Sequence, residues 1–188
     1  NALWYNALKI TEVFSNIINE NFDSELSTRV EESFKKFYAE RGLFDTIEPL
    51  KNQIRPNQVI AIGIEFSPVD QEKAKEIIKL VEEELYTNKG LKTLSSDDSE
   101  YRPYYFGGVY ERDTSYHQGT VWPFLMMFYN HAIKKYEKRI NDGINTAELL
   151  RDDCIGSIAE IYDAEEPRMP KGAFAQAWSV AMAIDNIF

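Results

Sequence analysis

Polar and aromatic side chains suited to a site are concentrated in a few short stretches. Tyr110 to Phe124, YERDTSYHQGTVWPF, gathers Asp113, His117, Gln118 and Trp122 where a long irregular segment turns into an apolar helix. NALWYNAL carries Trp4, IRPNQVIAI carries Arg55, Asn57 and Gln58, and FAQAWSVA carries Gln176 and Trp178. Tryptophan and tyrosine faces can cover the C–H surface of a sugar while amides and arginine engage its hydroxyls, so a glycan suits this set. Two carboxylates lie beside these features, Asp113 and Glu160. Glu160 sits in GSIAEIYD, with small Gly156, Ser157 and Ala159 around it and Ile158 and Ile161 flanking it. A carboxylate there could activate water, which is half of what glycoside hydrolysis needs; the plainer alternative is a surface glutamate at a helix end. For His117 a hydrogen-bonded structural histidine is an equal alternative, and His131, inside an apolar helix, reads as structural.

The totals narrow the partner. At 188 residues, 44% hydrophobic and 28% charged, the chain has an ordinary globular composition. A formal charge of −10 argues against nucleic acid, because phosphates require clustered lysine and arginine. A neutral ligand is its natural complement. Cys154 is the single cysteine; it excludes an intramolecular disulfide and fits a reducing, cytoplasmic setting. Its neighbours Asp152 and Asp153 favour an inert thiol. Two histidines and one cysteine, far apart in sequence, make no recognisable metal set, and no cofactor is expected. There is no signal-peptide pattern and no run of eighteen apolar residues, so no membrane partner is expected.

The positioning elements read as helices of two alternating kinds. Ala2 to Asn19 is apolar on most sides, whereas Ser24 to Arg41 is amphipathic, with Ser24 as N-cap and Gly42 as its stop. VIAIGIEF after Arg55-Pro56 reads as a short buried helix, and Asp70 to Tyr86 as an amphipathic one with Ala74, Ile77, Ile78, Val81 and Leu85 inward. Asn88 to Gly119 reads as one long ordered loop. Three helices follow, Thr120 to Arg139, Thr146 to Tyr162 and Ala173 to Phe188. The first, third, fifth and seventh are apolar with polar or tryptophan-bearing opening turns; the second, fourth and sixth have charged faces. Gln58, Gln118 and Gln176 recur at near-equal spacing in the opening turns. Buried helices alternating with amphipathic ones describe an all-α toroid, an inner ring inside an outer ring, whose inner opening turns converge on one pocket.

NALWYNAL, IRPNQVIAI, LKTLSSDDSEYRPYYFGG, YERDTSYHQGTVWPF, GSIAEIYD and FAQAWSVA, in this order and spacing, resemble the C-terminal catalytic domain of glycogen debranching enzymes, the amylo-α-1,6-glucosidase region. The pair HQGTVWP and AQAWS is the specific part. The resemblance covers the whole chain and implies an (α/α)6 barrel, of which residues 1–188 would be roughly the C-terminal half, truncated at the N-terminus. It implies hydrolysis, with inversion, of the α-1,6-linked glucose at a branch point of glycogen or a limit dextrin. Glu160 matches the general base, while the family's general acid is an aspartate in a Trp-Met-Asp motif expected before Asn1. Where the family usually has proline before the glutamate, this chain has Ala159. Trp4, Arg55, Asn57, Gln58, Asp113, His117, Gln118, Trp122, Gln176 and Trp178 match motifs that line the pocket and are expected to contact sugar. The remainder of the barrel is an expected partner, and without it the fragment is expected to be inactive, with an exposed inner ring. Two rival readings share these residues. One is a non-catalytic glucan-binding or assembly subunit; the other is a toroid hydrolase acting on another α-glucoside.

Overall fold

In the computed structural model, residues 1–141 and 143–186 are described; the predicted end of the last helix at Phe188 lies outside them. The chain opens with α1 (Ala2–Ile18) and α2 (Ser24–Phe34), the latter capped by Asp23, whose carboxylate accepts from Glu25 N. Asp23 rather than Ser24 is therefore the cap, and α2 ends seven residues before Arg41, running on only as a 3₁₀ turn to Phe37. A two-strand ribbon, β1 (Thr46–Ile47) and β2 (Leu50–Lys51), leads to α3 (Asn57–Gly63). Next come α4 (Gln71–Glu84), β3 (Tyr86–Thr87), β4 (Gly90–Lys92) and α5 (Val109–Ser115). The remainder is β5 (Val121–Trp122), α6 (Leu125–Tyr136), α7 (Thr146–Asp152), β6 (Ile161–Tyr162), β7 (Pro170–Lys171) and α8 (Ala177–Asp185).

The alternation of helices holds in space. α1 packs on α3, α3 on α6 and α6 on α8, forming an inner row, while α2 backs α1 and α4 backs α3 and α6. This is an incomplete α/α toroid. Residues Ala74, Ile77, Ile78, Val81 and Leu85 of the α4 face are all buried, against Met126, Tyr129 and Ile133 among others. Each large aliphatic side chain removed from water there is worth about 1.5–3 kcal/mol. Gly63 lets α3 lie against α6: a Cβ at this position would overlap the backbone of Phe128. At one end of the row α1 has neighbours on only one side, so the expectation of burial on most sides fails. Ala2, Tyr5 and Leu8 are buried, but Leu3, Trp4, Val13, Phe14, Ile17 and Ile18 stand 44–68% exposed.

The largest departure from the helical reading is a five-stranded antiparallel sheet in the order β3-β4-β5-β6-β7. Its registers pair Leu91 with Trp122, Val121 with Tyr162, and Ile161 with Lys171. Thr120 to Trp122 is thus loop and strand rather than helix, the sixth helix stops at Asp152 instead of Tyr162, and the last begins at Ala177 rather than Ala173. Gly156, in the left-handed region at φ 83, lies between α7 and the sheet, and the buried Ile161-Tyr162 pair fits a pleated surface better than a helix end. Within the predicted loop 88–119, Glu111 accepts from Gly108 N at 2.9 Å, the N3 half of a capping box that starts α5. Among the described residues no helix is long and apolar enough to cross a membrane.

Candidate active site

The small sheet is the frame of the site. β5 ends in Trp122, Glu160 immediately precedes β6, and Gly172 and Ala173 immediately follow β7, so three distant stretches meet at one edge. The buried Ile158, Ala159, Ile161 and Tyr162 fix the backbone on either side of Glu160. Glu160 N donates to Ala173 O at 2.8 Å, and Ala173 N returns a bond to Glu160 Oε2 at 3.0 Å. Oε1 accepts from the Tyr116 hydroxyl at 2.5 Å and from Gln176 Nε2 at 3.3 Å. The carboxylate is half-buried and held by three donors on two segments. It lies in loop before a strand, not at a helix end as the plainer reading had it.

Around it stands an aromatic wall. The Tyr116 ring meets His117 at 4.7 Å and Trp122 at 4.9 Å, both edge-on, and Tyr105 at 5.7 Å. His117 stacks on Trp122 with centroids 5.2 Å apart and planes 16° apart. Trp178, from the first turn of α8, stacks on Phe124 at 4.2 Å and touches Trp122 edge-on at 5.5 Å. Trp122 is 4% exposed and its indole N–H donates to Tyr116 O, whereas Trp178 is 43% exposed. Trp122 is therefore the floor of the wall, and Trp178 is a face open to a ligand. Burial pushes the Tyr116 hydroxyl well above its ordinary pKa, and the Glu160 bond adds to this, so the phenol is a donor throughout the neutral range. Burial lowers the His117 pKa and the Arg55 charge lowers it further, against the pull of Glu160.

Arg55 joins the second inner opening turn to the third. Its guanidinium donates to His117 O at 2.6 Å, Gln118 Oε1 at 2.5 Å, Thr93 O at 3.2 Å and Gln53 Oε1 at 3.1 Å. Gln58 is buried, accepting from Leu43 N and donating to Arg55 O. The Gln118 carbonyl oxygen is occupied by Arg55, and Gln176 Oε1 accepts from Ala177 N as the cap of α8. Asn57 donates to Asp45 at 2.8 Å. Asn57, His117, Gln118 and the exposed Asp113 line an open polar cleft of about 600 Å³ together with Arg102 and Glu100. Trp4 is set apart. It is 54% exposed on α1 and lines a small hollow with Val30, Ser33, Phe34, Phe37 and Ile47, and among the described residues no ring contact joins it to the wall.

The second, third and last opening turns of the inner row thus converge, and Trp4 of the first does not join them. Sequence reasoning assigned no role to Tyr116, Phe124, Gly172 or the Ala173 amide. Tyr116 was within sight beside His117, but an amide and a glycine carry no side-chain signal. His131 pairs with Asp185 at 2.9 Å, away from the wall. Among the described residues no cluster of histidine, cysteine and acidic side chains could hold a metal ion.

Solved structures of a GH63 mannosylglycerate hydrolase from Thermus thermophilus superpose on the whole fold. The complex with glucose matches at TM-score 0.71 and 15% identity, covering 100% of this chain and 46% of that one. The complex with Tris and D-glycerate matches at 0.69 and 14%, covering 99% and 44%. These neighbours are (α/α)6 toroid enzymes, of which this chain corresponds to a part. A glycogen debranching enzyme from Saccharomyces cerevisiae is 28% identical over 125 residues, which are 63% of this chain and 8% of that protein. The chain therefore spans under half of the solved structures it resembles and a small part of the yeast relative. The sequence pattern of the amylo-alpha-1,6-glucosidase family matches residues 1–185. With nearly every residue inside that match and the fold of a glycosidase toroid, the chain belongs to the amylo-alpha-1,6-glucosidase family of glycoside hydrolases.

Proposed function

We propose that this chain is the C-terminal part of a single (α/α)6 glucosidase domain that removes α-1,6-linked glucose from branch points of cytoplasmic glycogen or a limit dextrin. Glu160 is its general base. The observation that carries this reading is the grip on Glu160: a carboxylate fixed by three donors beside an aromatic wall, in a family of glycosidases. In that role it takes a proton from water as the water attacks the anomeric carbon from the face opposite the leaving group. A partner carboxylic acid, about 6.5–9.5 Å across the bond, protonates the departing oxygen, which gives inversion. That acid comes from the part of the barrel preceding Asn1, and the same part covers the exposed apolar face of α1.

Trp178 and His117 supply faces and hydrogen bonds to the glucose, on the floor made by Trp122. Asn57, Asp113 and Gln118 line the cleft that takes the remaining glucan, while Arg55, Gln58 and Gln176 act by holding the turns and the base. The test is glucose release from a limit dextrin by the full-length protein. Glu160→Gln should lower kcat on the order of 10²–10⁴-fold with glucan binding retained, and the first product should be the β anomer. Undiminished turnover in that variant would remove the assignment.

A further inference from the structure

The four hydrogen-bond acceptor positions of the Glu160 carboxylate are not equivalent. Both positions on Oε1 are taken, by the Tyr116 hydroxyl at 2.5 Å and by Gln176 Nε2 at 3.3 Å. Oε2 accepts only from Ala173 N at 3.0 Å among the described residues, which leaves one position with no protein partner. The segment beside Oε2 is kept bare. A Cβ on Gly172 would overlap Oε2, and this residue sits at φ +70, where glycine is favoured. The backbone there is shaped around the oxygen.

We propose that Oε2 is the atom that receives the proton of the attacking water, and that Tyr116 is the positioning residue that turns it toward the reaction by occupying Oε1. This rests on the assignment of Glu160 as general base. As the water oxygen bonds to the anomeric carbon and the glycosidic C–O bond breaks, one water proton passes to Oε2. The departing oxygen takes its proton from the partner carboxylic acid. Tyr116 contributes no atom to these bonds. Its hydroxyl stabilises the ionised carboxylate and fixes the carboxylate plane, and its ring is seated independently of that hydroxyl against His117, Trp122 and Tyr105.

Tyr116→Phe keeps the ring and deletes the bond. In the full-length enzyme, kcat should fall about tenfold to a hundredfold, the effect of one hydrogen bond to a charged group, with KM little changed. In a Glu160→Gln background the same change should cost less than about twofold, because the tyrosine acts through the carboxylate. A rise in KM in place of the fall in kcat, or an equal loss in both backgrounds, overturns the proposal; so does a drop in kcat explained by lost thermal stability. The two readings fail separately. An active Glu160→Gln defeats the base assignment, whereas an inactive one with a wild-type Tyr116→Phe defeats only the role of the tyrosine.

Discussion

Glu160 lies behind the aromatic wall and Asp113 lines the polar cleft beside it, and the surroundings of these two carboxylates are opposite. Glu160 is half-buried at the edge of a buried sheet and receives three bonds, one from Tyr116 and two from the stretch Ala173 to Gln176. Asp113 is exposed on a two-turn helix, and no hydrogen bond or ion pair fixes its carboxylate among the described residues, although it lines the polar cleft. Water activation needs a group held in place before the reaction begins, since reorganisation at that moment adds to the barrier. Contact with a mobile glucan needs only reach. This difference supports the proposed division of chemistry at the sheet end and recognition on the α5 side.

The strongest way to break this contrast is to neutralise each carboxylate in turn in the full-length protein. Asp113→Asn should change kcat by less than about threefold and raise KM modestly, against a loss on the order of 10²–10⁴-fold for Glu160→Gln. Kinetics on a limit dextrin, with glucan binding followed separately, check both. If Asp113→Asn abolishes turnover with binding intact while Glu160→Gln does neither, the two roles are reversed.

The two tryptophans sharpen the contrast between frame and ligand face. Trp122 is 4% exposed beneath His117, Tyr116 and Trp178, so Trp122→Ala should cost about 3–5 kcal/mol of stability, read from denaturant unfolding. Trp178 is 43% exposed and stacked on Phe124. Trp178→Ala should leave kcat within about threefold and raise KM roughly 3- to 15-fold, the range of one lost aromatic stacking contact. A collapse in kcat at unchanged KM would place Trp178 beside the reacting atoms instead.

The frame is the least legible part of the sequence, and the inner row the most. α4 repeats its apolar positions over fourteen residues, so Ala74, Ile77, Ile78 and Val81 declare a buried face before any coordinates exist. Strands of two or three residues cannot show alternation, and the five-stranded sheet therefore reads as loop and helix ends. Glu160 stands out through its small neighbours and through the resemblance of its motif. Its holders do not, because Tyr116 lies 44 residues away and the Ala173 donor is a backbone amide common to every residue but proline. Arg55 is legible as a polar residue in the right turn, but its turning inward to His117 O and Gln118 depends on how two loops close.

Asp70 tests whether exposure alone makes a carboxylate idle, and here the expected effect is smallest. Like Asp113 it is exposed, yet as N-cap of α4 it accepts from Lys73 N at 2.9 Å. That bond is the chief reason its pKa lies below the ordinary aspartate value; burial, the next influence, works against it, and the Tyr38 hydroxyl assists. Asp70→Ala should lower stability by about 1 kcal/mol at neutral pH, whereas Asp113→Ala should stay within about 0.5 kcal/mol. Because the folded-state pKa of Asp70 is lowered, its contribution is complete above the unfolded value and is lost as pH falls through the folded one. The gap between wild type and Asp70→Ala in urea unfolding should therefore narrow in acid. Equal stability of the two variants at neutral pH would mean that the cap bond adds nothing to the folded state.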